Sequence, residues 1–320
     1  MSITLIGGSG FVGTRLIPLL GKNNCKNLDL KPSDKYNTIT RFADIRDKST
    51  IKFDSSTDKV ILLAAEHRDN VDPPSNYYDV NVCGTKNVLE QMTNSGIKNI
   101  IFTSSVAVYG LNKKNPNENH PKDPFNHYGK SKWQAENLIK EWYDNDPLGK
   151  TVTIIRPTVI FGERNRGNVY NLIKQISSGR FIMIGSGKNK KSMAYVGNVT
   201  SFIKFCIENQ KPGYHVYNYS DKPDIDMITL TRLICKELGF KNRNVKIPYI
   251  FGLAFGHVCD LLSLVSGKKL PISSVRVKKF CATTQFDSTK AHNEFNSPFS
   301  FKKGLRKTLN FEFNNKDTET

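Results

Sequence analysis

Tyr128 and Lys132, in Tyr128-Gly-Lys-Ser-Lys132, are spaced i and i+4 in a helical pattern, so a phenol and an ammonium share one helix face. A free tyrosine loses its proton only near pH ~10, too high for a base at neutral pH. A neighbouring ammonium favours the phenolate and draws that pKa towards the working range. Ser105 ends the strand-like run that begins at Asn99 and offers a hydroxyl to hold a substrate oxygen. Phenolate, ammonium and hydroxyl donor together suit removal of an alcohol proton while hydride leaves the adjoining carbon.

Hydride needs an acceptor. Gly7-Gly8-Ser9-Gly10-Phe11-Val12-Gly13 follows the apolar run Ile3–Ile6 and opens a helical pattern. Gly7 permits a tight turn, Gly10 lets backbone approach a pyrophosphate, and Gly13 lets the helix pack on a sheet. The pyrophosphate then rests on N–H groups of the first helical turn, at Phe11 and Val12. Asp29 ends the next strand-like run, where a carboxylate accepts from ribose hydroxyls and repels a 2′-phosphate. The expected cofactor is therefore NAD, not NADP, although Lys26 and Lys31 lie close by.

These groups need a scaffold that gathers them. Strand-like runs occur at Ile3–Ile6, Lys26–Leu30, Lys59–Leu63, Asn99–Thr103 and Thr151–Arg156, with helical patterns at Phe11–Gly21, Tyr78–Ser95 and Ser131–Asp144. Strands alternating with helices predict an α/β fold, a Rossmann doubly wound parallel sheet with a smaller C-terminal substrate lobe. Residues 1–160 form the expected NAD-binding domain, whose core also receives later strands. Residues 161–313 form the substrate lobe and 314–320 a flexible tail.

The 320 residues are ordinarily globular in composition, and the chain opens directly in an apolar run, so no secretory signal is expected. Six scattered cysteines without a C-x-x-C pair predict reduced thiols in a cytoplasm and no metal site. A net charge of +18 implies anionic company. The basic residues concentrate at Lys188–Lys191 and Arg276–Lys279 without interleaved aromatics, which argues against nucleic acid. An anionic lipid or a phosphorylated substrate remains, as does a solvated basic surface. Pro248–Val265 is strongly apolar and Lys268, Lys269, Arg276, Lys278 and Lys279 follow it. Segment 248–280 is thus either an interfacial element on an anionic membrane or a core helix of the lobe. The loop Gly185–Lys191 could clamp a diphosphate through Lys191, with Arg164 and Arg166 as further candidates; a solvated basic loop is the alternative.

Gly7/Gly10/Gly13, Asp44-Ile45, Ala64-Ala65, Asn81-Val-Cys-Gly-Thr85, Ser104-Ser105, Tyr128/Lys132 and Arg156-Pro157 together resemble the extended short-chain dehydrogenase/reductase superfamily. That resemblance implies that Asp44 and Ile45 flank the adenine and that Ala64 and Ala65 line the cofactor cleft. It also implies that Asn81 and Ser104 belong to the cofactor site, Lys132 holds the nicotinamide ribose, and Pro157 begins the loop by the carboxamide. Members often pair through helices corresponding to 78–95 and 131–144, so a homodimer is possible.

A narrower resemblance covers Leu62-Leu-Ala-Ala-Glu-His-Arg-Asp-Asn70, Tyr77-Tyr-Asp-Val-Asn81, Gly110-Leu-Asn-Lys-Lys114, Phe161-Gly-Glu-Arg-Asn-Arg-Gly-Asn-Val169 and Ser274-Val-Arg-Val-Lys-Lys-Phe-Cys-Ala282. These runs look like the bacterial 4-epimerases that act on N-acetylglucosaminyl-diphospho-undecaprenol in O-antigen assembly. The implied substrate is a polyprenyl-diphosphate-linked amino sugar, met by Glu66, Arg164, Arg166, Asn168 and Lys191. The implied location is peripheral, on the inner face of the cytoplasmic membrane. One departure is Gly197-Asn198, where many nucleotide-sugar epimerases carry acidic residues. A UDP-N-acetylglucosamine or UDP-glucose 4-epimerase, a sterol-like lipid-alcohol dehydrogenase and a non-catalytic NAD-binding regulator remain as alternatives. A 4,6-dehydratase fits less well, because Ser105-Val106-Ala107 offers no acid–base pair.

Overall fold

The computed structural model describes residues 2–68, 71–240, 245–267, 270 and 272–314. Asp69 and Asn70 of the motif run, Lys268 and Lys269 of the basic cluster, and residues 315–320 of the tail lie outside the described residues.

Short runs of mostly apolar residues become strands β1 (Ile3–Ile6), β2 (Cys25–Asp29), β3 (Thr40–Phe42), β4 (Lys59–Leu62), β5 (Asn99–Thr103), β6 (Thr151–Pro157) and β7 (Gly213–Tyr219). They form one sheet in the order β7-β6-β5-β4-β1-β2-β3, parallel at every pair. The order reverses at β1, where Ile6 pairs with both Leu28 and Leu62. A crevice opens beyond the strand ends at such a reversal, and ligands bind there.

Alternate residues of each strand serve opposite faces, as a pleated strand requires. Leu5, Ile61, Ile101 and Ile155 turn to one side, with Leu16, Ile17 and Phe202. Ile6, Leu62, Phe102 and Ile154 turn to the other, with Val88, Leu89 and Ile139. Coverage on both faces is why β1, β4, β5 and β6 are mostly apolar. The covering helices are α1 (Gly13–Leu20), α2 (Ser75–Tyr78), α3 (Gly84–Asn94), α4 (His127–Asp144) and α5 (Val196–Glu208). A π-helical turn, Asp79–Cys83, joins α2 to α3.

β3 and β7 answer to none of the strand-like runs in the sequence. β3 has three residues, two of them exposed, and β7 mixes tyrosines with His215 and Asn218, so neither carries an apolar signal.

Two compact units emerge: residues 1–160 with 194–221 and 286–300, and residues 161–193 with 222–285 and 301–320. The chain first leaves the first unit after residue 160. Two later segments nevertheless return to the first unit, one of them bringing α5 and β7. The second unit holds the helices Asn168–Ser177, Met227–Glu237 and Phe301–Leu309, with Arg306 of the last paired to Glu237 at 2.8 Å. It also holds the parallel pair Met183–Ile184 and Lys246–Ile247, then α6 (Tyr249–Ser266) and α7 (Ser274–Cys281).

Candidate active site

The glycine turn is tight against its surroundings. Gly7 has φ +88°, and a Cβ there would stand 2.5 Å from the Ala64 nitrogen; at Gly13 it would stand 2.4 Å from Gly8 Cα. Asp29 ties the turn to the loop after β2, accepting from the Ser9 N–H at 2.8 Å and the Lys31 N–H at 2.9 Å. Each carboxylate oxygen keeps a lone pair for a further donor. Beside it lies an open hollow of about 210 Å³ lined by Asp29, Lys31, Ser33, Asn37 and Phe42 among others. Asp44 pairs with Arg46 at 2.5 Å, which holds its carboxyl below the usual range. Ile45 packs so closely on α3 that a Cβ at Gly84 would meet it at 2.6 Å.

The Phe11 and Val12 N–H groups that head α1 have no acceptor among the described residues. Such a helix start attracts a phosphate.

Ser105 caps a short turn, Val106–Tyr109, by accepting from the Ala107 N–H at 3.1 Å, and its hydroxyl stands near enough to Tyr128 to lower the phenol's pKa. Asn126 caps α4 by accepting from the Gly129 N–H at 2.8 Å. That cap sets Tyr128 in the first helical turn, with its ring 6.4 Å from that of Tyr77. Lys132 is 1% exposed, and its ammonium stands 4.1 Å from the Phe102 ring centre. No hydrogen-bond partner for that ammonium is present among the described residues. Burial pushes it down to about 7, with Glu136 opposing the shift. An ammonium on a buried stem, with donors to spare and on the helix of the phenol, fits the hydroxyls of a ribose.

The charge balance differs from the sequence reading on one point. In the protein alone, burial raises the Tyr128 pKa and the hydrogen bond from Ser105 only offsets part of that rise; Lys132 does not contribute. The ammonium expected to acidify the phenol is itself pushed down to about 7 by burial.

A supporting layer lies beneath. Asn81, expected in the cofactor site, accepts from the Glu66 N–H at 2.9 Å and donates to the Glu66 carbonyl and the Ser131 hydroxyl. Ser131 in turn donates to the Tyr128 carbonyl. Ser104, also expected there, instead donates to Glu136 at 2.5 Å. Glu136 holds Arg156 in a bidentate pair of 2.9 and 2.5 Å, both residues being buried. Arg156 continues to the Tyr109 hydroxyl, and Tyr109 to Asn218 on β7. The sequence reading missed this network, although Glu136 follows Lys132 by four residues on one helix face. It also missed Asp221, buried and pushed up to about 6 by desolvation, which accepts from the Tyr195 N–H and from Asn198.

The substrate candidates are largely engaged elsewhere. Glu66 forms a 2.5 Å pair with exposed Arg68. Lys191, the leading candidate for a diphosphate, donates to the carbonyls of Lys279 at 2.9 Å and Ala282 at 2.6 Å, and burial pushes it down to about 8. It is thus a tie within the second unit, with two of its three donors on those carbonyls. Glu312 accepts from the Arg164 N–H at 2.6 Å and the Arg166 guanidinium at 2.8 Å. Asn168 begins the helix Asn168–Ser177. Pro157 ends β6, buried beside Tyr219.

A family model described as the NAD dependent epimerase/dehydratase family matches residues 3–219. The chain belongs to that family, and its cofactor is NAD. It is 57% identical over 98% of its length to an N-acetyl-alpha-D-glucosaminyl-diphospho-ditrans,octacis-undecaprenol 4-epimerase of Escherichia coli O157:H7, of which 95% is covered. A UDP-glucose 4-epimerase of Vibrio cholerae is 28% identical over 83% of this chain and 85% of its own. Among solved structures, a UDP-glucuronic acid 4-epimerase from Bacillus cereus in complex with NAD matches with a TM-score of 0.74 and 19% identity, covering 97% of this chain and 98% of that one.

Proposed function

We propose that this protein is a 4-epimerase of N-acetylglucosamine carried on undecaprenyl diphosphate, interconverting it with the N-acetylgalactosamine epimer. The observation that carries the reading is the match along almost the whole chain to the Escherichia coli relative of that name. The NAD dependent family match and the chain's own Ser105, Tyr128 and Lys132 support the chemistry.

NAD, when bound, supplies reversible hydride acceptance at C4 of the sugar. Ser105 holds the 4-hydroxyl oxygen, and Tyr128 takes its proton as that carbon becomes a ketone. Tyr128 returns the proton when the C–H bond re-forms on the opposite face, so no second substrate is consumed. With ribose hydroxyls to accept from it, Lys132 would keep its charge and favour the phenolate, against the burial that lowers its pKa in the protein alone. Asn81 ties α4 to the segment after β4, and Glu136 ties it to the end of β5 through Ser104 and to β6 through Arg156.

The second unit, 161–193 with 222–285 and 301–320, takes the carrier part of the substrate in this reading. Its basic and apolar segment supports a peripheral place on the inner face of the cytoplasmic membrane. A homodimer through helices 78–95 and 131–144 would be polar, since Lys86, Gln134, Asn137 and Lys140 face outward there.

The test offers the purified protein two labelled donors, polyprenyl-diphospho-N-acetylglucosamine and UDP-N-acetylglucosamine, and scores released N-acetylgalactosamine. Conversion on the lipid-linked donor is expected. Conversion only on the UDP-sugar refutes the carrier, and net NADH formation with another alcohol refutes the epimerase.

A further inference from the structure

Helix α6 is built inside out for an aqueous protein. Only Gly252, Gly256 and Cys259 are buried, at i, i+4 and i+7 on one face. These small residues let the helix lie very close to its support. A Cβ at Gly252 would come 2.4 Å from Ile184, and one at Gly256 would come 2.8 Å from Ser274 Cα. Asp260 fixes the same side by accepting from the Ser274 N–H that opens α7, at 3.2 Å. The large apolar side chains turn the other way. Ile250 is 76% exposed, Phe251 67%, Leu261 62%, Leu264 80% and Val265 79%, and Val275 of α7 adds 54%.

A single exposed leucine needs no explanation, whereas a continuous apolar face marks a docking surface. The charges around it select the partner. Across 246–281 the sequence has one acid, Asp260, against Lys246, Lys268, Lys269, Arg276, Lys278 and Lys279. Among the described ones, Lys246, Arg276 and Lys278 are exposed. An apolar face rimmed by cations is complementary to an anionic phospholipid surface.

We propose that α6 and α7 form an in-plane membrane anchor, with α6 lying along the bilayer surface and its apolar face sunk among the acyl chains. Its 18 residues and mean hydropathy of 1.5 are also compatible with crossing. The glycine face decides between the two. It is held side-on to Ile184 and Ser274, so the helix cannot turn across the bilayer without dragging polar backbone into hydrocarbon. This placement goes beyond the proposed reaction and rests on it only for its purpose, to bring the site to a lipid-borne sugar.

Cosedimentation of the full-length protein with vesicles of phosphatidylglycerol and phosphatidylethanolamine, and with phosphatidylcholine alone, tests it. Binding to the anionic vesicles is expected, weakened by salt and released by an alkaline carbonate wash. A Phe251→Ser/Leu264→Ser variant alters exposed positions only and should keep the wild-type unfolding temperature while binding falls at least about tenfold. Failure to bind, unchanged binding by the variant, or resistance to carbonate each overturns the in-plane anchor. So does a lipid-free oligomer that this variant alone dissociates, which would make a second copy the occupant. Conversion of a short-chain, water-soluble polyprenyl-diphospho donor separates the two readings. Vesicle binding with turnover of UDP-sugar alone sinks the proposed carrier and leaves the anchor standing. Turnover of the short-chain donor without vesicle binding does the reverse.

Discussion

Replacing Lys132 by methionine should stabilise the cofactor-free protein, and by an amount that depends on pH. The ammonium falls from the 10.5 of a free lysine to about 7 because burial disfavours its charge. At 1.36 kcal/mol per pH unit this corresponds to about 5 kcal/mol against the folded state while Lys132 is charged. Below pH 7 both folded and unfolded chains hold the proton, and the whole penalty is present. Between 7 and 10.5 the unfolded chain binds a proton that the folded chain has lost, so the stability of the wild type rises with pH. By pH 9 about 2 kcal/mol of the penalty should remain. The advantage of Lys132→Met over the wild type therefore shrinks by about 3 kcal/mol from pH 6 to pH 9. Methionine keeps the length of the apolar stem, so lost packing should be small. Urea denaturation of both proteins at the two pH values measures the difference, and the same variant should bind NAD more weakly and lose epimerase activity. An advantage that stays constant, or grows with pH, refutes the claim that Lys132 is a desolvated ammonium awaiting an acceptor. A companion measurement is calorimetric: NAD binding at pH 8 should take up a proton in the wild type and none in Lys132→Met.

Glu136→Gln leaves Arg156 buried without its counter-charge and should cost about 3–5 kcal/mol in denaturant, while a Glu136→Leu/Arg156→Met pair should recover most of that loss; equal losses would contradict the assignment. Asn198→Asp removes the amide that donates to Asp221 at 2.9 Å and to the Phe299 carbonyl at 2.8 Å, setting two carboxyls face to face. The variant should lose about 3 kcal/mol at pH 7. Because Asp221 already sits at about 6, the deficit should shrink as pH falls from 7 to 5 and the site gains a proton; a constant deficit argues against that contact. Tyr128→Phe should lower kcat by about 10²–10⁴ with little change in NAD affinity or unfolding temperature, and retained turnover would remove Tyr128 from the proton transfer.

The sequence by itself determined the parts whose signal is local. β1, β4, β5 and β6 were legible because strands covered on both faces read as near-continuous apolar runs. The glycine turn was legible because only residues without Cβ tolerate the 2.4–2.5 Å approaches at Gly7 and Gly13. Tyr128 and Lys132 share a helix face by spacing alone. Tertiary structure decided what depends on who stands opposite. β3 and β7 have too little apolar character to announce themselves and gain their place from neighbours already in the sheet. Lys191 read as a free cation until the carbonyls of Lys279 and Ala282 were seen to hold it. Lys132 and Glu136 are four residues apart on one helix. One stands over the Phe102 ring and the other pairs with Arg156 from a strand, a difference in surroundings that no local pattern records. In α6 the sequence showed an apolar stretch that suited core and membrane equally. Only the packing of Gly252 and Gly256 fixed which face turned outward, because side-chain volume against a support, not hydropathy, sets the orientation of a uniformly apolar helix.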